Sequence, residues 1–343
     1  MLAIWRSGEC SPGSSPQPVA LTYPRTMPDS SEHPERAHAQ IARWPVALAW
    51  LTAAAAGVGV WGIYAVFVQS RIGQQVDHAA FLGSERGQSL LWDSAQRVLD
   101  LVSVPSIVVI IAASMLIAAL RRRWLQAAQV AILVVGANLT TEVLKTHVFS
   151  RPYLDVGFRH GNALPSGHTT VAASIAAALL FVVPRRARPW VAVFGAVYTV
   201  LTGVATMVKQ WHRPSDVVAA VLVVLVWSAL ACALSAWGAP EVLPGTPRPL
   251  PGSGGSAVAG AFLVLAALGA GAGAYVTLKS TWTIAGGSLT SGQMLTAYIG
   301  GALGVVAVTS LTFALLLAVR QAVGHARLGT PPGATVQGVT PTA

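Results

Sequence analysis

Three short clusters of polar residues border long apolar runs, and their side chains are of the kinds that bind or transfer a phosphate group. The first cluster contains Lys145, Arg151 and Pro152, the second is Pro-Ser-Gly-His at residues 165–168, and the third is Trp-His-Arg-Pro-Ser-Asp at residues 211–216. Because each cluster adjoins an end of an apolar run, the three can meet at one level of a membrane. Together they predict one polar site.

The second cluster has the pattern of a helix start. Ser166 is a favourable N-cap, and an apolar run follows it. The first amides of such a helix, at Gly167 and His168, have no partner within the helix and form a ready anion site, and Gly167 lets the anion approach the backbone. The alternative is an ordinary capped helix with a loop histidine.

In the third cluster His212 and Asp216 are four residues apart, and Pro214 between them suits the first turn of a helix. At this spacing both side chains lie on one face. The carboxylate can then accept a hydrogen bond from one imidazole nitrogen and leave the other free as a nucleophile or base. The alternative is a His–Asp pair that only stabilises a helix end.

The first cluster offers two different cations. Lys145 is a point charge and Arg151 is a planar fork of donors, a combination that suits a phosphate. The alternative is a lysine that snorkels at a helix end together with one unrelated loop arginine.

The composition indicates which elements position these clusters. Of the 343 residues, 54% are hydrophobic and only 10% are charged, against ~25% in soluble domains. This excludes an ordinary soluble globule, and average Gly and Pro usage excludes collagen-like and Pro-rich disordered chains. The apolar residues form eight candidate membrane helices, at 46–68, 101–120, 124–144, 169–183, 189–208, 215–237, 257–278 and 297–319.

This grouping predicts an all-α polytopic membrane protein in five parts. They are a disordered cytoplasmic N-terminus (1–44), a six-helix core (45–237), a Pro- and Gly-rich linker (238–256), a C-terminal transmembrane helix pair (257–320) and a disordered tail (321–343).

The basic residues predict the orientation in the membrane. Thirteen of the 22 Lys and Arg residues fall on the side of the two termini, and the other nine fall on the side of the three clusters. Because short cytoplasmic loops carry the basic excess, we expect both termini in the cytoplasm and the site on the extracytoplasmic face of the plasma (inner) membrane. The outward loop 69–100 has the pattern of a helix on the membrane surface. Basic residues spread over short loops argue against a nucleic-acid partner.

In this order, the three clusters resemble the type 2 phosphatidic acid phosphatase superfamily, which also includes soluble vanadium haloperoxidases. That family has a Lys followed by Arg-Pro, then Pro-Ser-Gly-His, then Ser-Arg followed at fixed spacing by His and, four residues on, Asp. The second motif is complete here, and His212 with Asp216 matches the third. The resemblance covers about residues 85–237. It implies that the six-helix block is a lipid phosphatase core, with the last two helices outside it.

The chain departs from the family pattern at two places. Five residues separate Lys145 from Arg151 where six are common, so the loop between them must follow a different path. The Ser-Arg of the third motif would fall at residues 205–206, which are Ala-Thr, so one phosphate-binding arginine is missing. Lys209 or Arg213 can supply the charge, although neither occupies the family position.

The resemblance implies hydrolysis of a phosphoester through a phosphohistidine. His212, oriented by Asp216, attacks phosphorus, and protonated His168 gives its proton to the leaving oxygen. We expect no metal and no cofactor. The candidate substrate-binding residues are Lys145, Arg151, Pro152, Ser166, Gly167, Lys209 and Arg213.

We expect the substrate to be a lipid phosphate or diphosphate in the bilayer, such as a polyprenyl (di)phosphate, phosphatidic acid or phosphatidylglycerophosphate. The alternative is a non-catalytic lipid-binding protein or transporter that keeps the fold, and the arginine missing at 206 gives it some weight. Transporters tend to carry ionisable groups near the bilayer midplane, whereas here the polar residues gather at helix ends. We therefore favour a phosphatase, and a haloperoxidase-like activity is disfavoured in a membrane chain.

Overall fold

A computed structural model describes residues 43–100, 124–157, 161–237 and 254–326. Within these ranges the chain forms nine α-helices and no strand. The helices are α1 (Arg43–Ile63), α2 (Arg71–Gly83), α3 (Glu85–Asp100), α4 (Trp124–Val143), α5 (Gly167–Val182), α6 (Arg188–Val208), α7 (Pro214–Trp237), α8 (Gly254–Ile284) and α9 (Ser291–Ala326).

Several predictions concern residues outside these ranges. They are the apolar segment 101–120, the basic loop 121–123, the N-terminus up to residue 42, the linker from 238 to 253 and the tail from 327. Three predicted boundaries are wrong, because the helices extend past them. Residues 43–44 of the predicted disordered N-terminus, 254–256 of the predicted linker and 321–326 of the predicted disordered tail are helical.

Six of the described helices are long and apolar enough to cross a membrane, which confirms the predicted polytopic all-α class. They contain six of the predicted apolar segments, and α5, which contains the short fourth one, has 16 residues. Apolar side chains also cover outer surfaces of the helices. On α8, for example, Val258, Leu265 and Leu268 are each more than 60% exposed, as expected for a helix that faces lipid on one side and protein on the other.

The helix α7 lies at the centre of the bundle, because it packs against five other helices: α1, α2, α4, α5 and α9. Its interior face is built largely from Ala and Val, which let neighbouring helices approach closely. Val217, Ala219, Val221 and Ala231 have no exposed surface. The first turn of this central helix carries Asp216, so the most buried helix of the bundle holds one of the predicted site residues.

The predicted outward loop 69–100 is two helices, and both pack on the bundle. The helix α2 begins after Ser70, whose Oγ accepts a hydrogen bond from the Gly73 amide at 3.0 Å. It packs mainly against α9. The helix α3 packs against α6, with Ala95 and Leu99 buried, whereas Trp92 remains exposed. The predicted surface helix therefore covers protein with part of its apolar face.

Two short π-helical turns extend the membrane helices at the end where the polar clusters lie. Tyr64–Val68 continues α1, and Leu144–Val148 continues α4 and carries Lys145. The Phe149 amide donates to the Leu144 carbonyl at 2.8 Å, which closes the wider turn. Such turns occur often at functional sites, where they reorient side chains relative to the helix axis.

The C-terminal pair α8–α9 is packed against the rest of the bundle through glycines. At Gly83, on α2, an added Cβ would lie 2.0 Å from the Met294 carbonyl oxygen on α9. At Gly301, on α9, it would lie 2.4 Å from Cγ of Pro214, at the start of α7. Close backbone approach of this kind requires glycine.

We predict that Gly83→Ala lowers the thermal midpoint of the protein in detergent, because the Met294 carbonyl belongs to the backbone and cannot move aside as a flexible side chain would. Overpacking of this kind costs about 1–3 kcal/mol. The matched control is Gly304→Ala, where the nearest atom to the new Cβ is the Ala274 Cβ at 4.0 Å. Equal midpoints for the two variants would contradict the packing of α2 against α9.

Candidate active site

The structure brings the three polar clusters together at one end of the helices. The Ser166 amide donates to the Asp216 carbonyl at 2.9 Å, which joins the second cluster to the third. A methyl group added at Gly167 would lie 3.8 Å from Nζ of Lys145, so the first cluster meets the second. The ends of α4, α5 and α7 therefore enclose one polar space.

The helix α5 begins as the sequence predicts. Ser166 is its N-cap, and the Ser166 Oγ accepts a hydrogen bond from the Thr169 amide at 3.4 Å. Ser166 is fully buried, so the cap is held in place by the surrounding helices. The amides of Gly167 and His168 occupy the first two positions of the helix, where no carbonyl of the same helix can accept from them. With the Lys145 ammonium near Gly167, these amides and the helix dipole behind them form a favourable place for an anion.

His212 and Asp216 form the predicted pair. Nδ1 of His212 lies 3.3 Å from Oδ2 of Asp216, and the same oxygen accepts a hydrogen bond from the Arg213 amide at 2.9 Å. Asp216 is fully buried. Because a carboxylate accepts hydrogen bonds, it favours the tautomer with the proton on Nδ1 and leaves the Nε2 lone pair free.

The family position of the missing arginine is occupied by Thr206, whose side chain is turned into its own helix. Its Oγ1 donates to the Gly203 carbonyl at 2.7 Å, and it has no exposed surface. Its carbonyl accepts from the amides of Trp211 and His212 at 3.0 and 3.3 Å. Thr206 therefore shapes the turn before His212 through its backbone and brings no side-chain donor to the site.

The two replacements suggested by the sequence are placed differently. Nζ of Lys209 lies 3.3 Å from the centroid of the Trp92 ring, so a cation–π contact holds its charge against α3. Arg213 is buried, with its guanidinium carbon 5.2 Å from the Phe81 ring centroid, and its charge acts on Asp77, Asp216 and Arg151. Arg213 is thus the cation that supplements the site.

Arg151 and Arg213 each present a buried hydrogen-bond donor that suits an anion. Among the described residues, Nη1 of Arg151 and Nε of Arg213 are buried and have no hydrogen-bond partner. Burial, and next the charge of Arg213, lower the pKa of Arg151 below its ordinary value. Buried donors without partners are unfavourable, and two adjacent cations repel each other. A bound phosphate would relieve both costs.

His168 lies close enough to His212 and Lys145 for their charges to act on it. Its ring centroid is 5.3 Å from that of Trp211, and the two rings are tilted by 41°. Burial, followed by His212 and Lys145, lowers the pKa of His168. An anionic group bound between these cations would act in the opposite direction and favour the protonated imidazole.

Three amide side chains that no motif marked hold the loops of the site. Gln74, on α2, donates to the carbonyls of Val68 and Pro152 at 2.7 and 2.9 Å, and so anchors the residue after Arg151. Gln69 donates to the Ser150 carbonyl at 2.8 Å. Asn162 donates to the carbonyls of Lys145 and Leu164, at 3.2 and 2.9 Å. Loop carbonyls buried next to a membrane need hydrogen-bond donors as partners. This general need is the only indication in the sequence that these amide side chains belong to the site.

Asp77 is the second carboxylate of the site and was not predicted. It lies on α2, is 2% exposed, and accepts hydrogen bonds from Ser215 through Oγ at 2.6 Å and through the amide at 3.2 Å. Burial, and next the charge of Asp216, raise the pKa of Asp77 to about 6. In the part of the chain that the structure describes, no three His, Cys, Asp or Glu side chains gather as a metal site.

The fold and the site define a polytopic membrane protein whose helix ends assemble donors suited to a phosphate. Residues 126–238 match the model of the PAP2 superfamily, which confirms the resemblance of this segment to the type 2 phosphatidic acid phosphatase superfamily. Neither a curated protein nor a solved structure matches the chain. The match runs from α4 to the end of α7, so it starts later than the resemblance in the sequence. The family supports hydrolysis of lipid-like phosphates at a membrane as the general activity.

We predict that Arg213→Ala weakens the binding of orthovanadate, measured as the shift of the thermal midpoint with vanadate concentration. Loss of a hydrogen bond to a charged group costs about 1.5–3 kcal/mol, or roughly a 10- to 100-fold higher Kd. The control is Lys209→Met, which keeps the apolar stem against Trp92 and should change the Kd by less than about threefold. A larger effect from Lys209→Met than from Arg213→Ala would reverse the assignment.

Proposed function

We propose that the protein is a membrane phosphatase that hydrolyses a lipid phosphate or diphosphate through a phosphohistidine on His212. The observation that carries the proposal is the bond from the Ser166 amide to the Asp216 carbonyl, because it holds the anion-binding start of α5 beside the His212–Asp216 pair. Lys145, on the same side of the site, supplies a further charge. A nucleophile and an oxyanion site within one small space are the two parts that phosphoryl transfer requires.

In the first step, Nε2 of His212 attacks phosphorus, a P–N bond forms, and the bond from phosphorus to the leaving oxygen breaks. His168 gives its proton to that oxygen, so the lipid leaves as a neutral alcohol or as a monophosphate. The positive charge that develops on the imidazole is stabilised by the Asp216 carboxylate at Nδ1. Arg151, Arg213 and the first amides of α5 hold the other phosphoryl oxygens.

In the second step, water attacks the phosphohistidine. The now neutral His168 accepts a proton from that water, the P–N bond breaks, and inorganic phosphate leaves. His212 returns to the tautomer with the proton on Nδ1, and His168 is protonated again for the next cycle. Both steps use His168, His212 and Asp216, which lie at or near the first turns of α5 and α7.

A lipid substrate is supported by the apolar surface next to the site. A cavity of about 230 Å³ lies between α1, α4 and α7, and its lining includes Leu144, Val148 and Phe149. These residues flank Lys145, so a hydrocarbon chain in the cavity would leave its phosphate near the ammonium group. A polyprenyl (di)phosphate and a phosphatidic acid-type lipid both fit this description.

The proposed function is tested by phosphate release from these lipids. Purified protein in detergent is incubated with a polyprenyl phosphate, a polyprenyl diphosphate, phosphatidic acid and phosphatidylglycerophosphate. Release from at least one lipid is expected. If none releases phosphate while the lipids still bind, the protein is instead the non-catalytic lipid-binding protein or transporter that Thr206 at the arginine position favours.

We further propose that the site faces the extracytoplasmic side of the plasma (inner) membrane. Support comes from the separation of charges along the bundle. The exposed Arg185 and Arg186 follow the far end of α5, and Arg320 donates to the Phe181 carbonyl at that same end. The positive-inside tendency assigns this end to the cytoplasm and the three clusters to the opposite face. Substrate in the outer leaflet suits the recycling of an envelope lipid carrier.

We predict that His212→Ala abolishes phosphate release, whereas Asp216→Asn retains a small fraction, because the carboxylate only orients and stabilises the nucleophile. Loss of a nucleophile typically costs several orders of magnitude in kcat, about 10⁴-fold or more. Both variants are compared with the wild type at equal amounts of folded protein. A fully active His212→Ala variant would contradict the assignment of His212 as the nucleophile.

Orientation is tested by cysteine labelling in intact cells. In a background without Cys10 and Cys232, Gly161→Cys should react with an impermeant thiol reagent and Arg186→Cys should not. Both positions are open, since no atom lies within 4 Å of a Cβ added at Gly161 and Arg186 is exposed. Labelling at 186 with protection at 161 would invert the topology and remove the carrier-recycling argument.

A further inference from the structure

We propose that Asp77 is a positioning residue for the catalytic pair, which acts by holding the first turn of α7 through Ser215. The inference rests on the proposed function, because it concerns how His212 and Asp216 are kept in their reactive arrangement. It also gives a role to the C-terminal helix pair α8–α9, which lies outside the family segment.

The contact between Asp77 and Ser215 replaces a local helix cap. The first amides of a helix have no partner within it, and a side-chain oxygen usually accepts from one of them. In α7 the Asp216 side chain accepts from the Arg213 amide, and the Ser215 amide is left to Asp77, 138 residues away in the sequence. The Ser215 hydroxyl donates to the same carboxylate at 2.6 Å. Asp77 therefore fixes both the backbone and the side chain of Ser215.

Ser215 directly precedes Asp216, which makes two hydrogen bonds that define the site. The carbonyl of Asp216 accepts from the Ser166 amide, and its Oδ2 faces Nδ1 of His212. A shift of the first turn of α7 would lengthen the second of these bonds, at 3.3 Å, and tilt the imidazole away from the anion site. A misplacement of about 1 Å can cost a factor of roughly 100 in rate.

The charged groups that act on Asp77 all belong to the site. They are the carboxylate of Asp216 and the cations Arg213 and Arg151. Asp77 also lines a cavity of about 210 Å³ between α2, α7 and the α8–α9 pair, whose described lining contains no other titratable side chain. The carboxylate is thus a counter-charge for two cations that repel each other.

The C-terminal pair keeps Asp77 at this position. The backbone of α9 contacts Gly83, which is on the same helix as Asp77, and Gly301 of α9 contacts Pro214 directly before Ser215. The two partners of the hydrogen bond are therefore both packed against α9.

The ionised Asp77 carboxylate lowers the stability of the fold at neutral pH. A loss of activity without a loss of stability would therefore distinguish a positioning role from a purely stabilising one. The folded pKa of about 6 lies above the ordinary value of 3.8. The protonated form is thus favoured in the fold, and the stability that it brings is present at low pH and lost as the pH rises through about 6. Asp77→Asn keeps the shape and an acceptor for the Ser215 amide, so at about pH 8 its thermal midpoint should equal or exceed that of the wild type.

The test compares Asp77→Ala, Asp77→Asn, Ser215→Ala and the double variant Asp77→Ala/Ser215→Ala. We expect kcat to fall by about tenfold or more in Asp77→Ala and less in Asp77→Asn, with KM changed by less than about threefold. The double variant should be no slower than Asp77→Ala alone, because both changes break one contact. The control is Ser84→Ala at the C-cap of α2, which removes a hydrogen bond to the Phe81 carbonyl and leaves the contact between Asp77 and Ser215 in place.

A second readout does not depend on turnover. Diethyl pyrocarbonate modifies the free imidazole nitrogen, and the rate at His212 is followed by mass spectrometry. Asp77→Ala should slow this modification relative to Ser84→Ala, because a misplaced Asp216 no longer activates Nε2. Unchanged modification, wild-type kcat in Asp77→Ala, or multiplicative effects in the double variant would overturn the inference. If His212→Ala retained activity while Asp77 still controlled the modification, the proposed function would fail and the positioning role would stand.

Discussion

The hydrogen bond from the Ser166 amide to the Asp216 carbonyl is the constraint on which the rest of the site depends. It joins the first turns of α5 and α7 at 2.9 Å, so the anion-binding amides and the His212–Asp216 pair occupy one space. Water cannot replace such a bond at low cost among packed apolar helices, where an unpaired amide or carbonyl is strongly unfavourable. The capped start of α5, the buried carboxylate and the packing of α7 at the centre of the bundle all keep this bond formed.

The charges of the site suit a bound anion. Arg151 and Arg213 have buried donors without partners in the described part of the chain, and the two cations destabilise each other. Asp77 offsets part of this repulsion from the side of the apolar cavity. Thr206 brings no side-chain donor to the site, whereas Arg213, seven residues later in the sequence, brings a buried cation. A phosphoryl group would find its donors already oriented, which is the arrangement that electrostatic catalysis requires.

Local sequence patterns predict the parts of this structure that local physics determines. Long apolar runs give membrane helices because the bilayer leaves few alternatives, Ser166 caps its helix because of the next three residues, and His212 meets Asp216 because they are four apart. Asp77 and Gln74 could not be predicted in this way, since their partners Ser215 and Pro152 are distant in the sequence. The choice between Arg213 and Lys209 could not be predicted either, because only the tertiary structure shows that Lys209 is held by a cation–π contact with Trp92.

The central claim is that His212 becomes covalently phosphorylated, and trapping that species tests it most directly. The wild-type protein is mixed with a ³²P-labelled form of whichever lipid releases phosphate and is quenched in alkaline denaturant within the first turnover. Phosphohistidine survives alkali and is lost in acid, so digestion should place alkali-stable label on the peptide that contains His212. Phosphate release without any covalent label, or label on the peptide that contains His168, would contradict the account.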